Sequence, residues 1–84
     1  METELHRSFL KQYKKLSKDI RVQFVERKNL IQEPFHSLLN NHSVDRVFPD
    51  CRSINVTGDY RAIFRQRDEV VLFLRIGTHS ELYG

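Results

Sequence analysis

Three side chains with complementary chemistry stand where strand-like runs of the sequence begin or end. Asp59 and Arg61 belong to the corner GDYR, and His79 follows the run EVVLFLRI. When consecutive strands are joined by tight turns, the start of one and the end of the next lie at the same edge of a sheet. The three side chains would then meet at one rim, as a base, a charge clamp and an acid for phosphoryl chemistry. Asp59 is also a good turn residue in its own right, and that purely structural interpretation stays open.

The other histidines carry less chemical information. His6, His36 and His42 lack the spacing of a metal site, and the single cysteine, Cys51, provides no zinc cluster. No metal or other cofactor is therefore predicted. His36 is interpreted as incidental, whereas His42, in the polar stretch LLNNHSV, is either surface decoration or part of a site, depending on its neighbours in space. A lone cysteine also excludes an internal disulfide and is typical of a reducing compartment.

Positive charge is divided unevenly along the 84 residues, whose formal net charge is +3. All five lysines lie in the first part of the sequence, whereas the second part uses arginine, whose rigid fork suits phosphate. Four of the lysines recur at i, i+3, i+4 and i+7, namely Lys11, Lys14, Lys15 and Lys18. On a helix they would form one basic stripe that attracts a phosphate backbone without reading its sequence. An ordinary solvated helix face is the alternative.

The sequence up to Pro34 predicts two helices, preceded by a short strand at about residues 2–7. Apolar residues at the spacing of one helical face define the first helix, namely Phe9, Leu10, Tyr13 and Leu16. Ser17 is a predicted N-cap that opens a second helix over residues 18–33, and Pro34 ends it. The expected buried stripe of the second helix consists of Ile20, Phe24 and Ile31. The two helices would form an antiparallel hairpin.

Three runs rich in β-branched and aromatic residues follow, namely CRSINVT, YRAIFRQ and EVVLFLRI. Gly58–Asp59 and Arg67–Asp68 separate them, so the runs are predicted to form an antiparallel meander with tight turns. The last run is apolar on both faces and is expected inside the sheet rather than at its edge. Helices followed by a sheet indicate the α+β class, and the length fits one domain over residues 1–84.

The sequence offers no means of entering a membrane. No apolar run approaches the roughly 18–20 residues that a crossing needs. The N-terminal METELHRSFLKQYKK lacks the apolar core of a secretory signal. A cytoplasmic protein without a membrane partner is therefore expected.

Two motifs, CRSINVTGDYRAIF and DEVVLFLRIGTHSELYG, strongly resemble the RelE/ParE superfamily of bacterial toxin–antitoxin modules. Within it, the sequence is most similar to the YafQ-type messenger-RNA interferases, and the similarity extends over the whole chain, from FLKQYKKL to GTHSELYG. The resemblance implies a RelE-like fold, with a helical hairpin packed on an antiparallel sheet of a short first strand and a three-stranded meander. It also implies a cytoplasmic toxin that binds a cognate antitoxin and cuts messenger RNA in the ribosomal A site. There the toxin would contact both the messenger RNA and ribosomal RNA.

The resemblance also implies a metal-independent mechanism and assigns its residues. The ribose 2′-OH attacks the adjacent phosphate and leaves a 2′,3′-cyclic phosphate and a 5′-hydroxyl. By the family pattern, His79 is the general acid toward the leaving oxygen, while Asp59 and His42 share the base and orienting roles. Arg61 matches the arginine that many RelE-like members place against the scissile phosphate. Asn55 stands where the YafQ pattern often has a histidine; it can hydrogen-bond a phosphate or ribose but cannot titrate.

The residues around this set have their own expected positions. Alternation along the strand places Asn55 and Ser53 on the outward face, away from the helices, where RNA would lie. Gly77 has no side chain, and it is interpreted as the residue that lets the backbone pass close to that RNA. Leu82 and Tyr83 are expected to tuck back as an anchor, with stacking of Tyr83 on a base as the alternative.

Two other functions share the expected fold. A ParE-like inhibitor of DNA gyrase needs no acid–base histidine, so the combination of His42, Asp59 and His79 argues against it. A non-catalytic RNA-binding relative would keep the lysines while losing activity, and Asn55 keeps this reading open.

Overall fold

The computed structural model describes residues 2–33 and 36–84, which form a five-stranded sheet, two main helices and a short third helix. The elements follow the chain as β1 (Glu2–Leu5), α1 (Arg7–Tyr13), α2 (Lys18–Asn29), a 3₁₀ turn (Leu30–Gln32), β2 (His42–Ser43), β3 (Arg52–Thr57), β4 (Tyr60–Arg67), β5 (Val70–Thr78) and α3 (His79–Tyr83). The prediction of one helix over residues 18–33 is wrong at its end, because α2 stops at Asn29 and the chain tightens into the 3₁₀ turn; Pro34 itself lies outside the described residues.

The predicted α+β class is confirmed, with strands in the order β1-β5-β4-β3-β2. β3, β4 and β5 form the expected antiparallel meander, and β5 lies inside the sheet. The sheet is not wholly antiparallel, however, because β1 runs parallel to β5, from Glu2 beside Val70 to Leu5 beside Phe73. Short turns force antiparallel pairing, whereas the long connection between β1 and β5, which includes two helices, permits the same direction. The two-residue β2 is an addition that the sequence pattern does not predict.

The helical hairpin covers one face of the sheet through a cluster of phenylalanine rings. The ring of Phe24 lies 4.9 Å from that of Phe9 and 5.0 Å from that of Phe73. Phe9, Phe24 and Ile31 are buried as predicted. Leu10 is not, since its side chain is 42% exposed. One position beyond Phe9, it points about 100° away around the helix and faces solvent.

The helix ends were predicted at one boundary and missed at another. Ser17 caps α2, and its Oγ accepts the N–H of Ile20 at 3.4 Å. α1 ends already at Tyr13, although the apolar spacing continues to Leu16. The N–H groups of the next turn bond three residues back instead of four, as Leu16 does to the carbonyl of Tyr13 at 3.1 Å. This tighter turn ends the α-helix, and Leu16 packs on the core from the connection between the helices.

The opposite face of the sheet carries a second, smaller cluster. Cys51, Ile63 and Leu82 are buried there, with Phe48 and Tyr83 packed against them. This face is therefore partly covered, by the segment before β3 and by α3, although the sequence predicts an open surface. Ser53, expected outward, is fully buried, and its Oγ has no hydrogen-bond partner among the described residues.

Both hairpin turns of the meander use a residue in the left-handed region. Gly58, at the predicted corner, has φ +54°, and Asp68 also has φ +54°. The second turn is one residue later than predicted, because Arg67 still pairs with Val70 and the loop consists of Asp68 and Glu69. Aspartate tolerates this backbone region better than most residues do.

Across residues 2–33 and 36–84, no helix combines the length and the apolar character that crossing a membrane would demand.

Candidate active site

A cavity of about 430 Å³, here called the site cavity, opens between the start of β4, α3 and the segment around β2. Three of the predicted site residues line it together, namely His42, Arg61 and His79. The rest of its wall mixes apolar groups with a further cation and includes Val44, Arg46 and Tyr83. Two imidazoles and two guanidinium groups around one cavity suit an anionic ligand. Arg46 carries no periodic signal in the sequence and was not predicted.

Arg61 is held in the cavity wall by its strand neighbours. It pairs with Asn55 on one side and with Gly77 on the other, while the adjacent Ala62 points into the core on the helix side. Its Nη1 donates to Oδ1 of Asn55 at 2.9 Å. Its Nε is buried and has no partner among the described residues. A guanidinium fixed in this way holds its positive charge at the cavity wall, where it attracts an anion.

Asn55 lies on the sheet face away from the helices, as the strand alternation predicts, and is half-buried. Its amide oxygen is occupied by Arg61. The bond engages the amide oxygen alone, so the predicted direct contact of Asn55 with a phosphate or ribose would be made by its NH2 group, as a donor.

His79 is exposed and is the first residue of α3. Its ring lies 4.8 Å from the ring of Tyr83, one helical turn later. The sequence reading misses α3, although Thr78 and Glu81 have the T-x-x-E spacing of a capping box, and the structure forms that box. The strand thus passes directly into a helix that carries the histidine.

The end of α3 is anchored as expected. Leu82 is only 8% exposed, and the ring of Tyr83 packs edge-on against that of Phe48 at 5.9 Å. Gly77, by contrast, does not open space for a ligand. It is buried, and a Cβ there would lie 3.1 Å from Oε1 of Glu81, so the space is already filled.

His42 is exposed at the other side of the site cavity, on β2 and paired with Ser53. Its Nδ1 lies 2.7 Å from the carbonyl oxygen of Asn40. A carbonyl only accepts, so Nδ1 carries the proton, and a neutral ring then presents Nε2 as its basic atom. Asn40 has φ +45°, which asparagine tolerates. The irregular sequence around His42 does not indicate which residues lie near it in space. Only the family resemblance pointed to His42 as a site residue.

Asp59 is exposed in the β3–β4 turn and lies outside the wall of the site cavity. Tyr60 pairs with Thr78, so Asp59 and His79 do stand at the same edge of the sheet, as the meander predicts. The structure therefore brings His42, Arg61 and His79 together and leaves Asp59 at the rim.

The four lysines do not share one helix. Lys11 lies in the last turn of α1, Lys14 caps it, Lys15 follows in the turn and Lys18 is the first residue of α2. The predicted single stripe is therefore wrong, because α1 ends inside the repeating pattern. All four side chains are exposed and form what we call the corner patch, around the turn between the two helices.

The described residues also bear on metal and thiol chemistry. Among the residues that the structure describes, no group of three or more His, Cys, Asp or Glu side chains is arranged for a metal ion. Burial raises the pKa of the Cys51 thiol, and the nearby guanidinium of Arg65 opposes that shift. The thiol is thus protonated at neutral pH and is a poor nucleophile.

Comparisons with known proteins agree on the type of domain. Residues 3–83 match the family model described as the ParE toxin of the type II toxin–antitoxin system parDE. No curated protein sequence matches the chain. The crystal structure of YafQ from E. coli BL21(DE3) is similar, with a TM-score of 0.83 and 22% identity over 99% of this chain and 98% of that one.

Two toxin–antitoxin complexes contain similar chains. One is the E. coli DinJ–YafQ complex, with a TM-score of 0.81 and 20% identity over 99% of this chain and 97% of the matched chain. The other is the RelB–RelE complex from Methanococcus jannaschii, with a TM-score of 0.74 and 16% identity over 95% and 94%. At these identities the likeness establishes a shared fold.

Proposed function

Because this chain belongs to the ParE toxin family of type II toxin–antitoxin systems, within the RelE/ParE superfamily, we propose that it is an endoribonuclease that cuts messenger RNA on the ribosome and so stops translation. The observation that carries this proposal is the site cavity, in which His42, Arg61 and His79 face one space. Two imidazoles and a guanidinium are the groups that a ribose-assisted cleavage requires.

In the proposed reaction, Nε2 of His42 takes the proton of the ribose 2′-OH as that oxygen attacks the adjacent phosphorus. The bond from phosphorus to the 5′-oxygen breaks, and His79 gives its proton to the leaving oxygen. The products are a 2′,3′-cyclic phosphate and a 5′-hydroxyl. Arg61 stabilises the negative charge that grows on the non-bridging oxygens. No metal ion is needed, because side chains supply both proton transfers and the compensating charge.

Asp59 has an auxiliary part in this proposal. Its carboxylate stands at the rim, in the turn next to the strand end that carries His79. It orients the acid, and the base role falls to His42, whose basic nitrogen belongs to a residue of the cavity wall.

The remaining charges fit a large RNA partner. The corner patch of Lys11, Lys14, Lys15 and Lys18 is exposed and would hold a phosphate backbone of ribosomal RNA, with Arg46 nearer the cleaved strand. The solved complexes of similar chains support a cognate antitoxin as the second partner. A ribosomal target places the protein in the cytoplasm.

Inhibition of DNA gyrase is the second candidate, because the matching family model is that of ParE toxins. A toxin of that kind acts by binding its target and has no use for two histidines and an arginine in one cavity. The two candidates predict different first events in a cell.

The experiment that separates them is brief induction in growing bacteria. We expect protein synthesis to stop first and messenger fragments with 5′-hydroxyl ends to appear, as followed by amino-acid incorporation and end-specific ligation sequencing. His79→Ala should abolish both effects, since loss of a general acid costs about 10²–10⁴-fold in rate. Early DNA breaks with intact messengers would instead establish the gyrase function, and arrest by His79→Ala would exclude its catalytic role.

A further inference from the structure

Glu81 holds a position that none of the roles above explains. It is exposed, yet its Oε1 accepts the backbone N–H of Thr78 at 2.8 Å, and its own N–H donates to Oγ1 of Thr78 at 3.3 Å. These reciprocal bonds close the capping box at the start of α3. His79 lies inside the box, between its two members.

Gly77 provides the space in which the Glu81 side chain lies. A Cβ at position 77 would approach Oε1 of Glu81 to 3.1 Å and its Cβ to 3.3 Å, and the three nearest atoms all belong to Glu81. Gly77 does not adopt the left-handed backbone that would by itself call for glycine. The glycine is therefore needed by the glutamate, rather than by the backbone.

α3 depends on such contacts because it has only five residues. Isolated helices shorter than about 12 residues are marginal in water. Its far end is held by Leu82, which is buried, and by the packing of Tyr83 on Phe48. Its first turn, which carries His79, is held by the capping box. The place of the His79 imidazole in the cavity wall thus depends on Glu81.

We propose that Glu81 is a positioning residue, which holds His79 in the site cavity by closing the capping box in the space left by Gly77. Glu81 itself touches neither the RNA nor the reacting atoms. The catalytic consequence rests on the proposed ribonuclease function, whereas the placement of the His79 ring is a property of the fold and is measurable without any substrate.

The test compares Glu81→Ala with Glu81→Gln, whose amide oxygen still accepts the Thr78 N–H. Glu26→Ala, which removes an exposed carboxylate from α2, is the control for the change of charge. NMR measures the contact between the rings of His79 and Tyr83 and the exchange rate of the Thr78 amide. RNA cleavage on ribosomes gives kcat and KM.

We expect Glu81→Ala to lose the ring contact, to expose the Thr78 amide to exchange and to lower kcat by roughly 10- to 100-fold with KM unchanged. Glu81→Gln and Glu26→Ala should behave as the parent does in both measurements. A general loss of structure would lower kcat in Glu81→Gln as well and would move resonances far from α3.

Gly77→Ala provides a second, independent arm. Its methyl group should disturb the box and reproduce the loss seen with Glu81→Ala. In the double variant the carboxylate is gone and only the Cβ of residue 81 remains near the methyl; because Glu81→Ala has already opened the box, the two losses should not add.

Persistence of the ring contact in Glu81→Ala, its loss in Glu81→Gln, or additive losses in the double variant would each overturn the positioning role. Loss of the contact without a fall in kcat would overturn its catalytic consequence. If the parent protein cuts no RNA, the proposed function fails, and the NMR comparison alone decides whether Glu81 places His79.

Discussion

At the scale of single residues, hydrogen bonds hold two of the side chains that line the site cavity. Asn55 fixes one nitrogen of Arg61, and the carbonyl of Asn40 fixes the protonated nitrogen of His42. Both partners are neutral, so neither cancels the charge or the basicity of the group that it orients. The two side chains are thus held in place, while the positive charge of Arg61 is not neutralised and remains available to an anion.

The bond between Asn55 and Arg61 gives the first residue-scale prediction. Asn55→Leu should lower the single-turnover rate of RNA cleavage by about 10- to 100-fold, because a guanidinium without this partner is no longer held in position against the phosphate. The same change should cost little stability, since Asn55 is only half-buried and lies away from the helix-side core. Cleavage kinetics and urea unfolding measure the two effects.

Asn55→His is the matched control, because an imidazole nitrogen can also accept from the guanidinium. It should fold normally and cut at least as fast as the parent. A leucine variant that cuts at the parent rate would show that Arg61 needs no such support, or that it has no part in the reaction.

The residue-scale comparison also shows what a sequence can locate. The positions of Arg61 and His79 at one edge of the sheet were predictable, because strand ends and tight turns constrain where they lie. His42 belongs to a two-residue strand in an irregular segment, so nothing local places it near the others. Asp59 was placed at the right edge of the sheet, but strand register does not determine whether a turn side chain enters a cavity.

At the scale of elements, short helices are where periodicity misleads. The spacing of Lys11, Lys14, Lys15 and Lys18 fits one helix, yet α1 has seven residues and ends at Tyr13. α3 has five residues, which is too short for a repeating apolar pattern, and only its capping box indicates it in the sequence. The three strands of the meander, each bounded by turn residues, were predicted to within two residues at either end. Turn and capping residues can be recognised from the local sequence, whereas the exact end of a short helix depends on its packing.

The corner patch carries a prediction about salt. Replacing its four lysines by glutamine should weaken binding to ribosomes and lower the slope of log affinity against log salt by about 3, since each phosphate contact releases a counterion. Filter binding at several salt concentrations measures that slope.

Replacement of the same lysines by arginine is the control, because it keeps the charge while changing the side chains. That variant should retain the parent slope. An unchanged slope in the glutamine variant would mean that the corner patch is an ordinary solvated surface and that other cations hold the RNA.

At the scale of the whole molecule, the two faces of the sheet have different tasks. The helix side holds most of the buried residues, and a hydrogen bond joins each main helix to the sheet. The N–H of Ile76 donates to Oε1 of Gln12 at 2.9 Å, and Nε of Arg27 donates to the carbonyl of Val56 at 3.1 Å. The other side has a small cluster beneath the segments that line the site cavity. Stability is thus concentrated on one face and the site on the other, which lets the site stay open without weakening the core.

This division predicts that stability and activity can be changed separately. Phe24→Ala should cost about 3–5 kcal/mol, which is close to the whole stability of roughly 4–13 kcal/mol expected for a domain of this length. Its loss of cleavage should simply follow the unfolded fraction. Leu82→Ala removes a side chain from the small cluster under α3. It should shift the urea midpoint less than Phe24→Ala does. It should nevertheless lower the cleavage rate of each folded molecule, because His79 loses the anchor of its helix. Unfolding curves and cleavage rates corrected for the folded fraction measure both. Equal corrected rates for the two variants would mean that the small cluster serves stability alone and that the site does not depend on it.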